Sequence, residues 1–224
     1  MIEIISPEDS KAIALVKAEQ VIRAGGIVAL ATDTVYGFIA DATNEKTIAR
    51  LFELKHRPQE KAFPLFVRDI AMARWYAYIS DAKARFLERV WPGPVTVIFH
   101  HKEKLPDILT AERETIALRM PDNPFILDLL KRMDIPLAQS SANISGALPA
   151  KNAQEIVMNF ENEKQKPDLI IGGDVDTDTP STVIDLTANH IRMVRTGVVG
   201  REELETLMNS LAQEEILIAD SKKS

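Results

Sequence analysis

Short β-branched and apolar runs alternate with helical patterns along most of this chain, and that alternation constrains its fold more than any other feature. The runs are Ile2–Ile5, Ile27–Ala31, Pro64–Val67, Val95–Phe99, Thr115–Arg119, Pro136–Gln139, Leu169–Ile171, Thr182–Leu186 and Ile191–Val194, each of strand length. A first helix is expected from Ser6 as N-cap, with Pro7 in the first turn and Asp9 three residues after the cap, to the stop signal Gly25-Gly26. A second starts after Asn44 and runs to about Leu54, and others are expected near 81–90, 124–132, 152–160 and 201–212. Strands separated by helices give an α/β domain built on a large, open, twisted mixed sheet, at least partly parallel, with helices on its faces. A chain of 224 residues with 46 % apolar content suffices for one such domain with a sizeable core. The last stretch, 213–224, contains the apolar Ile216–Ala219 but ends Asp220-Ser-Lys-Lys-Ser224, and reads as a flexible tail.

Composition removes several function classes. The chain has no cysteine, which excludes disulfides, thiolate metal sites and cysteine nucleophiles. Its four histidines, at 56, 100, 101 and 190, show no metal-ligand spacing, and no protein metal site is expected. Gly172-Gly173-Asp174-Val-Asp176-Thr-Asp178 has the look of a calcium loop, but Thr179 stands where glycine is required and Asp185 where glutamate is. It is read as a solvated acidic turn. Neither phosphate-binding glycine motif, G-x-x-x-x-G-K-[ST] or G-x-G-x-x-G, occurs, so a nucleotide would be held mostly by side chains. The acidic N-terminus carries no signal-peptide core, and no apolar run approaches the roughly 20 residues that span a bilayer; a cytoplasmic location without membrane contact is expected.

The charge is uneven. Residues 46–104 hold 12 Lys and Arg against 6 Asp and Glu, whereas the whole chain is at −6. That excess is either solvated helix faces or a basic wall toward an anionic ligand. In open α/β sheets ligands gather at the carboxyl ends of strands, and polar clusters sit there: Asp33-Thr34, Arg119, then Ser141 and Asn143. The segment Gln139-Ser-Ser-Ala-Asn-Ile-Ser-Gly146 offers short donors that approach phosphate or carboxylate oxygens closely. Lys55-His56-Arg57-Pro58 lies at a helix end, where basic residues also stabilise the dipole, but Lys61 lies beyond the reach of that explanation. Trp91-Pro-Gly-Pro94 reads as the end of a helix and the start of a strand.

In order along the chain, these pieces resemble the YrdC/TsaC family of threonylcarbamoyl-AMP synthases. The resemblance covers nearly all of residues 7–200. It rests on Gly25-Gly-Ile-Val-Ala-Leu-Ala-Thr-Asp33-Thr-Val-Tyr-Gly37, Lys55-x-Arg57-Pro58, Trp91-Pro-Gly-Pro-Val-Thr96, Ile116-Ala-Leu-Arg-Met-Pro121, Ser141-Ala-Asn143-x-Ser-Gly146, Ser181-Thr-Val-Ile-Asp185 and Arg195-Thr-Gly197.

What the resemblance implies is a nucleotidyltransferase. It would join L-threonine, bicarbonate and ATP into threonylcarbamoyl-AMP, releasing pyrophosphate, and a partner transferase complex would then modify tRNA next to the anticodon. The implied fold borders a basic concave cavity. Lys55, Arg57, Ser141 and Asn143 are the implied catalytic set; Arg57, Lys61, Thr115, Ser141, Pro149 and Arg195 the ATP contacts; Thr34, Phe66, Arg119, Gln139 and Ser181 the threonine contacts. Magnesium would arrive on the nucleotide. Two positions depart from the pattern: Pro149 stands where serine is common, and Phe66 where some relatives place histidine. Residues 7–200 would form the catalytic domain, with 201–212 a C-terminal helix packed on it. A basic cavity would also accept tRNA or double-stranded RNA phosphates, so a non-catalytic RNA-binding or regulatory protein of the same fold is the alternative, and a carbamoyl-transfer domain is a further one.

Overall fold

The computed structural model describes residues 2–6, 10–173, 175, 177, 179–188, 191–207, 209 and 210. The chain opens with strand β1 (Glu3–Ile5), helix α1 (Lys11–Arg23), β2 (Val28–Leu30), β3 (Gly37–Asp41) and α2 (Glu45–Lys55). It continues through β4 (Leu65–Phe66), α3 (Ile70–Tyr76), α4 (Asp81–Val90), β5 (Val95–His100), α5 (Asp107–Thr110) and β6 (Thr115–Arg119). The last elements are α6 (Pro124–Met133), β7 (Leu137–Ser141), α7 (Ala153–Phe160), β8 (Leu169–Ile171), β9 (Thr182–Asp185) and β10 (Arg192–Arg195), followed by a helical segment at 201–207.

All the strands form one sheet in the order β1-β8-β2-β3-β7-β4-β6-β5-β9-β10. Its pairings are mixed. β1 with β8, β2 with β8, β4 with β6 and β5 with β9 are parallel. β2 with β3, β3 with β7, β4 with β7, β5 with β6 and β9 with β10 are antiparallel. Every expected run coincides with a strand; β3 was not anticipated, nor were α3 and α5. The first helix also starts later than expected: Ser10, not Ser6, is the N-cap, and its hydroxyl accepts from Ile13 N at 3.3 Å. The helix stops where Gly25 takes φ +81°, a backbone turn that L side chains resist. Pro7, Asp9, the aspartates 174, 176 and 178, His190 and the tail 213–224 lie outside the described residues.

The two sheet faces are covered unequally. One face buries the larger apolar cluster under α2, α4 and α7, through Leu51, Phe52, Phe86, Leu87, Ile156 and Phe160. On the other face, α1 and α6 cover only part of the sheet: Ala14, Leu15, Ile22, Ile126 and Leu130 pack on Val28, Leu30, Ile39, Leu137, Leu169 and Phe66. Among the described residues that second cluster has no member from β5, β6, β9 or β10. Side chains alternate along a strand. Ile116 and Leu118 belong to the first cluster, so Thr115, Ala117 and Arg119 face the other way; by the same alternation so do Thr96, Ile98 and Val183. This half of the sheet face, uncovered by α1 and α6, carries the polar groups from which the site is built.

Candidate active site

Helix α2 delivers the first cation. Asn44 caps it through Thr47 N at 3.2 Å, and His56 ends it in the left-handed region at φ 46°. That reversal separates two neighbouring charges. Lys55 turns inward and is only 1 % exposed, whereas Arg57 is half-buried and turned to the next loop. The Lys55 ammonium donates to Ser141 O at 2.5 Å, Asn143 O at 2.7 Å and Asn143 Oδ1 at 3.0 Å. An ammonium has three protons, so Lys55 is saturated by the loop that follows β7. Burial, and next the nearby Arg57 charge, push its pKa down to about 7, while the three acceptors favour the charged form. Lys55 therefore holds the loop rather than reaching out of it.

The loop is closed by its own side chains as well. Ser141 Oγ donates to Asn143 Oδ1 at 2.5 Å, and Asn143 Nδ2 donates to Ala147 O at 2.6 Å. Ser145 N returns to Lys55 O at 2.8 Å. Arg57 plays a comparable part for the next turn, donating from Nε to Lys61 O at 2.9 Å and from Nη2 to Ala62 O at 2.8 Å, with its guanidinium over the Phe63 ring. Lys61 is exposed, and among the described residues its ammonium has no ion-pair or hydrogen-bond partner. This turn is tied to the chain leading into β6 by Phe63 N to Leu109 O at 3.1 Å and Arg113 Nη2 to Glu60 O at 2.8 Å. Thr115 opens that strand on the same face as Arg119, about 13 Å away at the strand's rise per residue.

Arg119, at the other end of β6, is 2 % exposed and aimed from three sides. Nε donates to Gly93 O at 2.9 Å, Nη1 to Thr34 Oγ1 at 3.1 Å, and Nη2 to Asp33 Oδ2 at 2.6 Å. Its ring of support includes Phe66, 5.8 Å below the guanidinium. Phe66 itself is buried in the helix-covered cluster, so it supports Arg119 from beneath. One N–H on each terminal nitrogen of Arg119 remains without a partner among the described residues, an arrangement suited to a carboxylate. Burial lowers the Arg119 pKa, Asp33 opposes that, and the second cation Arg195 adds to the lowering. Arg195 lies across from Ser181, donating to its carbonyl at 2.8 Å and to its hydroxyl at 3.3 Å. Gln139, half-buried on β7, receives at Ile39 the neighbouring strand's pairing and donates its N–H to Pro64 O at 2.9 Å.

Pro149 lines a cavity of about 490 Å³ with Val35, Leu148, Ala150, Lys151, Val175 and Thr177. The cavity adjoins the Thr34 turn and the loop after β7. Its apolar share suits a flat ring, its Lys151 an anion.

Three contributors were given no role from sequence. Asp33 and the Gly93 carbonyl aim Arg119, and Thr96 bonds Ser181 at 2.8 Å. Asp33 belonged to a polar cluster at a strand end and Thr96 to a motif; a backbone carbonyl leaves no signal. The basic excess of residues 46–104 is also divided. Lys55, Arg57 and Lys61 converge here, whereas Arg50 pairs with Asp168, Arg74 with Asp81 and Arg68 with Asp69 and Asp134. His56 bonds Glu163 at 3.0 Å on the surface. Among the described residues no cluster of three or more His, Cys, Asp or Glu is placed to hold a metal, and no helix is long and apolar enough to cross a membrane.

The Sua5–YciO–YrdC family model, described as "Telomere recombination", matches residues 20–197. A threonylcarbamoyl-AMP synthase of Pyrococcus abyssi (strain GE5 / Orsay) is 33 % identical over 191 residues, which is 85 % of this chain and 56 % of that protein. A putative threonylcarbamoyl-AMP synthase of Methanocaldococcus jannaschii is 34 % identical over 203 residues, 90 % of this chain and 93 % of its own length. Among solved structures, P. abyssi Sua5 complexed with L-threonine superposes with a TM-score of 0.84 at 32 % identity, covering 92 % of this chain and 60 % of the other. This chain thus spans little more than half of the Pyrococcus abyssi synthase and nearly all of the Methanocaldococcus jannaschii relative.

Proposed function

Because this chain belongs to the Sua5–YciO–YrdC family, we propose that it forms threonylcarbamoyl-AMP and pyrophosphate from L-threonine, bicarbonate and ATP. The observation that carries this reading is Arg119: a buried guanidinium oriented by Asp33, Thr34 and Gly93, with two N–H groups left for a carboxylate. The hydroxyls of Thr34 and Ser181 flank it, as an amino acid with its own hydroxyl would require.

The threonine amine captures bicarbonate or carbon dioxide as a carbamate. A carbamate oxygen then attacks the α-phosphorus of ATP, and the bond to pyrophosphate breaks. Two anions meet in that step, so cations must offset their repulsion and the charge developing on pyrophosphate. Arg119 would hold the carboxylate at one end of β6. Lys61, Arg57 and Thr115 would meet the phosphates toward the other end, with Arg195 nearer the reacting centre. The loop after β7 would position the reacting groups through Ser141, held in shape by Lys55 and Asn143. The cavity at Pro149 would seat the nucleoside. ATP would enter as its magnesium complex, the metal held by the nucleotide. No residue needs to be a strong base, because the carbamate is already nucleophilic; catalysis is positioning and electrostatics. Residues 7–200 would be the catalytic unit, acting in the cytoplasm and supplying a transferase that modifies tRNA.

Incubating the pure protein with L-threonine, bicarbonate and magnesium-ATP tests this. Threonine- and bicarbonate-dependent release of pyrophosphate with formation of the adenylate is expected. Salt-sensitive RNA binding without such release would favour the non-catalytic alternative instead.

A further inference from the structure

A threonine that touches the site only through another residue sets which way one of its hydroxyl protons points. Thr96, on β5, is 2 % exposed, and among the described residues its hydroxyl meets one partner, Ser181 Oγ at 2.8 Å. If Ser181 donated in that contact, the Thr96 proton would be buried with no acceptor, an arrangement folded proteins avoid. Thr96 is therefore the donor. Arg195 Nη2 also donates to Ser181 Oγ, at 3.3 Å. With its oxygen accepting from both, Ser181 has its own proton left for a ligand.

Thr32 does not set Thr34 in the same way. It gives its proton to Val35 O at 2.7 Å, and its oxygen already accepts from Thr34 N at 3.1 Å and Val35 N at 3.2 Å, so the 3.1 Å contact between the two hydroxyls assigns no direction to the Thr34 proton. Thr34 Oγ1 accepts from Arg119 Nη1 and keeps a second lone pair. The β5–β6 register places Val97 opposite Leu118, so Thr96 lies beside Arg119 as well.

We propose that Thr96 is a positioning residue that fixes Ser181 as a donor, so that the pocket reads a ligand hydroxyl through its lone pair. This rests on the threonine-site reading above and deepens it. A methyl group in that place leaves the Ser181 donor unsatisfied, the condition under which a site rejects an analogue strongly.

The test is calorimetric binding of L-threonine and of L-2-aminobutyrate, which lacks the hydroxyl, to wild type, Thr96→Val, Thr96→Ala and Thr96→Ser. Valine suits a β-strand, and alanine fits the space if valine does not. Both should weaken threonine roughly 5- to 30-fold, the scale of one buried hydrogen bond, and change 2-aminobutyrate less than about twofold. Thr96→Ser should restore threonine to within about threefold of wild type. Equal weakening of both ligands, or an unchanged preference for threonine, overturns the inference while leaving the proposed reaction standing. Failure of wild type to bind threonine overturns both.

Discussion

Lys55 Nζ lies 2.5 Å from the carbonyl oxygen of Ser141, fastening the end of α2 to the end of β7 across 86 residues of sequence. That bond, with two more to Asn143, makes the most buried lysine of the site a part of its frame. Removing it leaves buried acceptors unmatched.

Lys55→Met should therefore destabilise the protein by about 3 kcal/mol, since each orphaned buried acceptor costs about 1–3 kcal/mol. Urea unfolding measures this. Lys55→Arg should not restore adenylate synthesis, because a planar guanidinium cannot fill a slot shaped for a compact ammonium. Asn143→Ala should be more harmful than Ser141→Ala in the same assays, because Asn143 links Lys55, Ser141 and Ala147 at once. Equal effects of those two would contradict the loop's construction.

The depressed Lys55 pKa carries a sign. Folding lowers it from 10.5 to about 7, so between those values the unfolded chain binds a proton that the folded protein sheds. Stability then rises with pH across that window, by at most about 1.4 kcal/mol per pH unit, and the gain is lost as pH falls from 10.5 to about 7. The difference in unfolding free energy between wild type and Lys55→Met should shift in favour of wild type from pH 7 toward pH 10. A flat difference would mean that the three acceptors keep the proton bound.

Lys61 and Arg57 should separate binding from structure. Lys61→Ala removes an exposed ammonium, so stability should stay within about 0.5 kcal/mol while ATP affinity falls roughly 10-fold. Arg57→Ala also removes two bonds that brace the turn, and should cost both affinity and stability. Nucleotide titration beside thermal unfolding distinguishes them; unaltered ATP affinity in Lys61→Ala would remove it from the nucleotide site.

Asp33→Ala leaves Arg119 buried without its carboxylate partner. A loss of about 3–5 kcal/mol is expected, the scale for breaking a buried ion pair from one side. Threonine affinity should fall with it, as the guanidinium loses the group that aims it. Denaturation and threonine titration check both; a variant as stable as wild type would show that Gly93 and Thr34 suffice to orient Arg119.

The architecture could be read largely from periodicity, because strands buried on one or both faces write their pattern locally. β3 escaped because Gly37-Phe-Ile-Ala-Asp41 follows directly on Thr34-Val-Tyr36, with glycine already inside the strand and no turn residue to mark its start. Helices α3 and α5 were too short to show a period. In the site, the clusters at strand ends were legible and their mutual bonds were not. Lys55 looked like an outward cation at a helix end; it lies inward because it continues the buried face of α2 at Ile48, Leu51 and Phe52, and the left-handed turn at His56 ends the helix just after it. Phe66 shares the sheet face of Arg119, its register partner, and at that position it packs against the cluster under α1 and α6, which the sequence does not show.

The strand order bears on how the chain assembles as it is synthesised. Strand β8 sits between β1 and β2, and β9 beside β5, so the early strands wait for late partners: Glu3 pairs with Leu169, 166 residues on, and Val95 with Thr182, 87 residues on. Until residues 169–171 appear, both β1 and β2 expose edges that later pair; until 181–195 appear, Arg119 lacks Ser181 and Arg195 nearby. Contacts so distant in sequence slow folding and leave unpaired edges open to wrong partners. Assembly of this face of the sheet is thus among the last events of the chain's maturation, and a nascent polypeptide lacking its final third has Lys55, Lys61 and Arg119 but neither Ser181 nor Arg195.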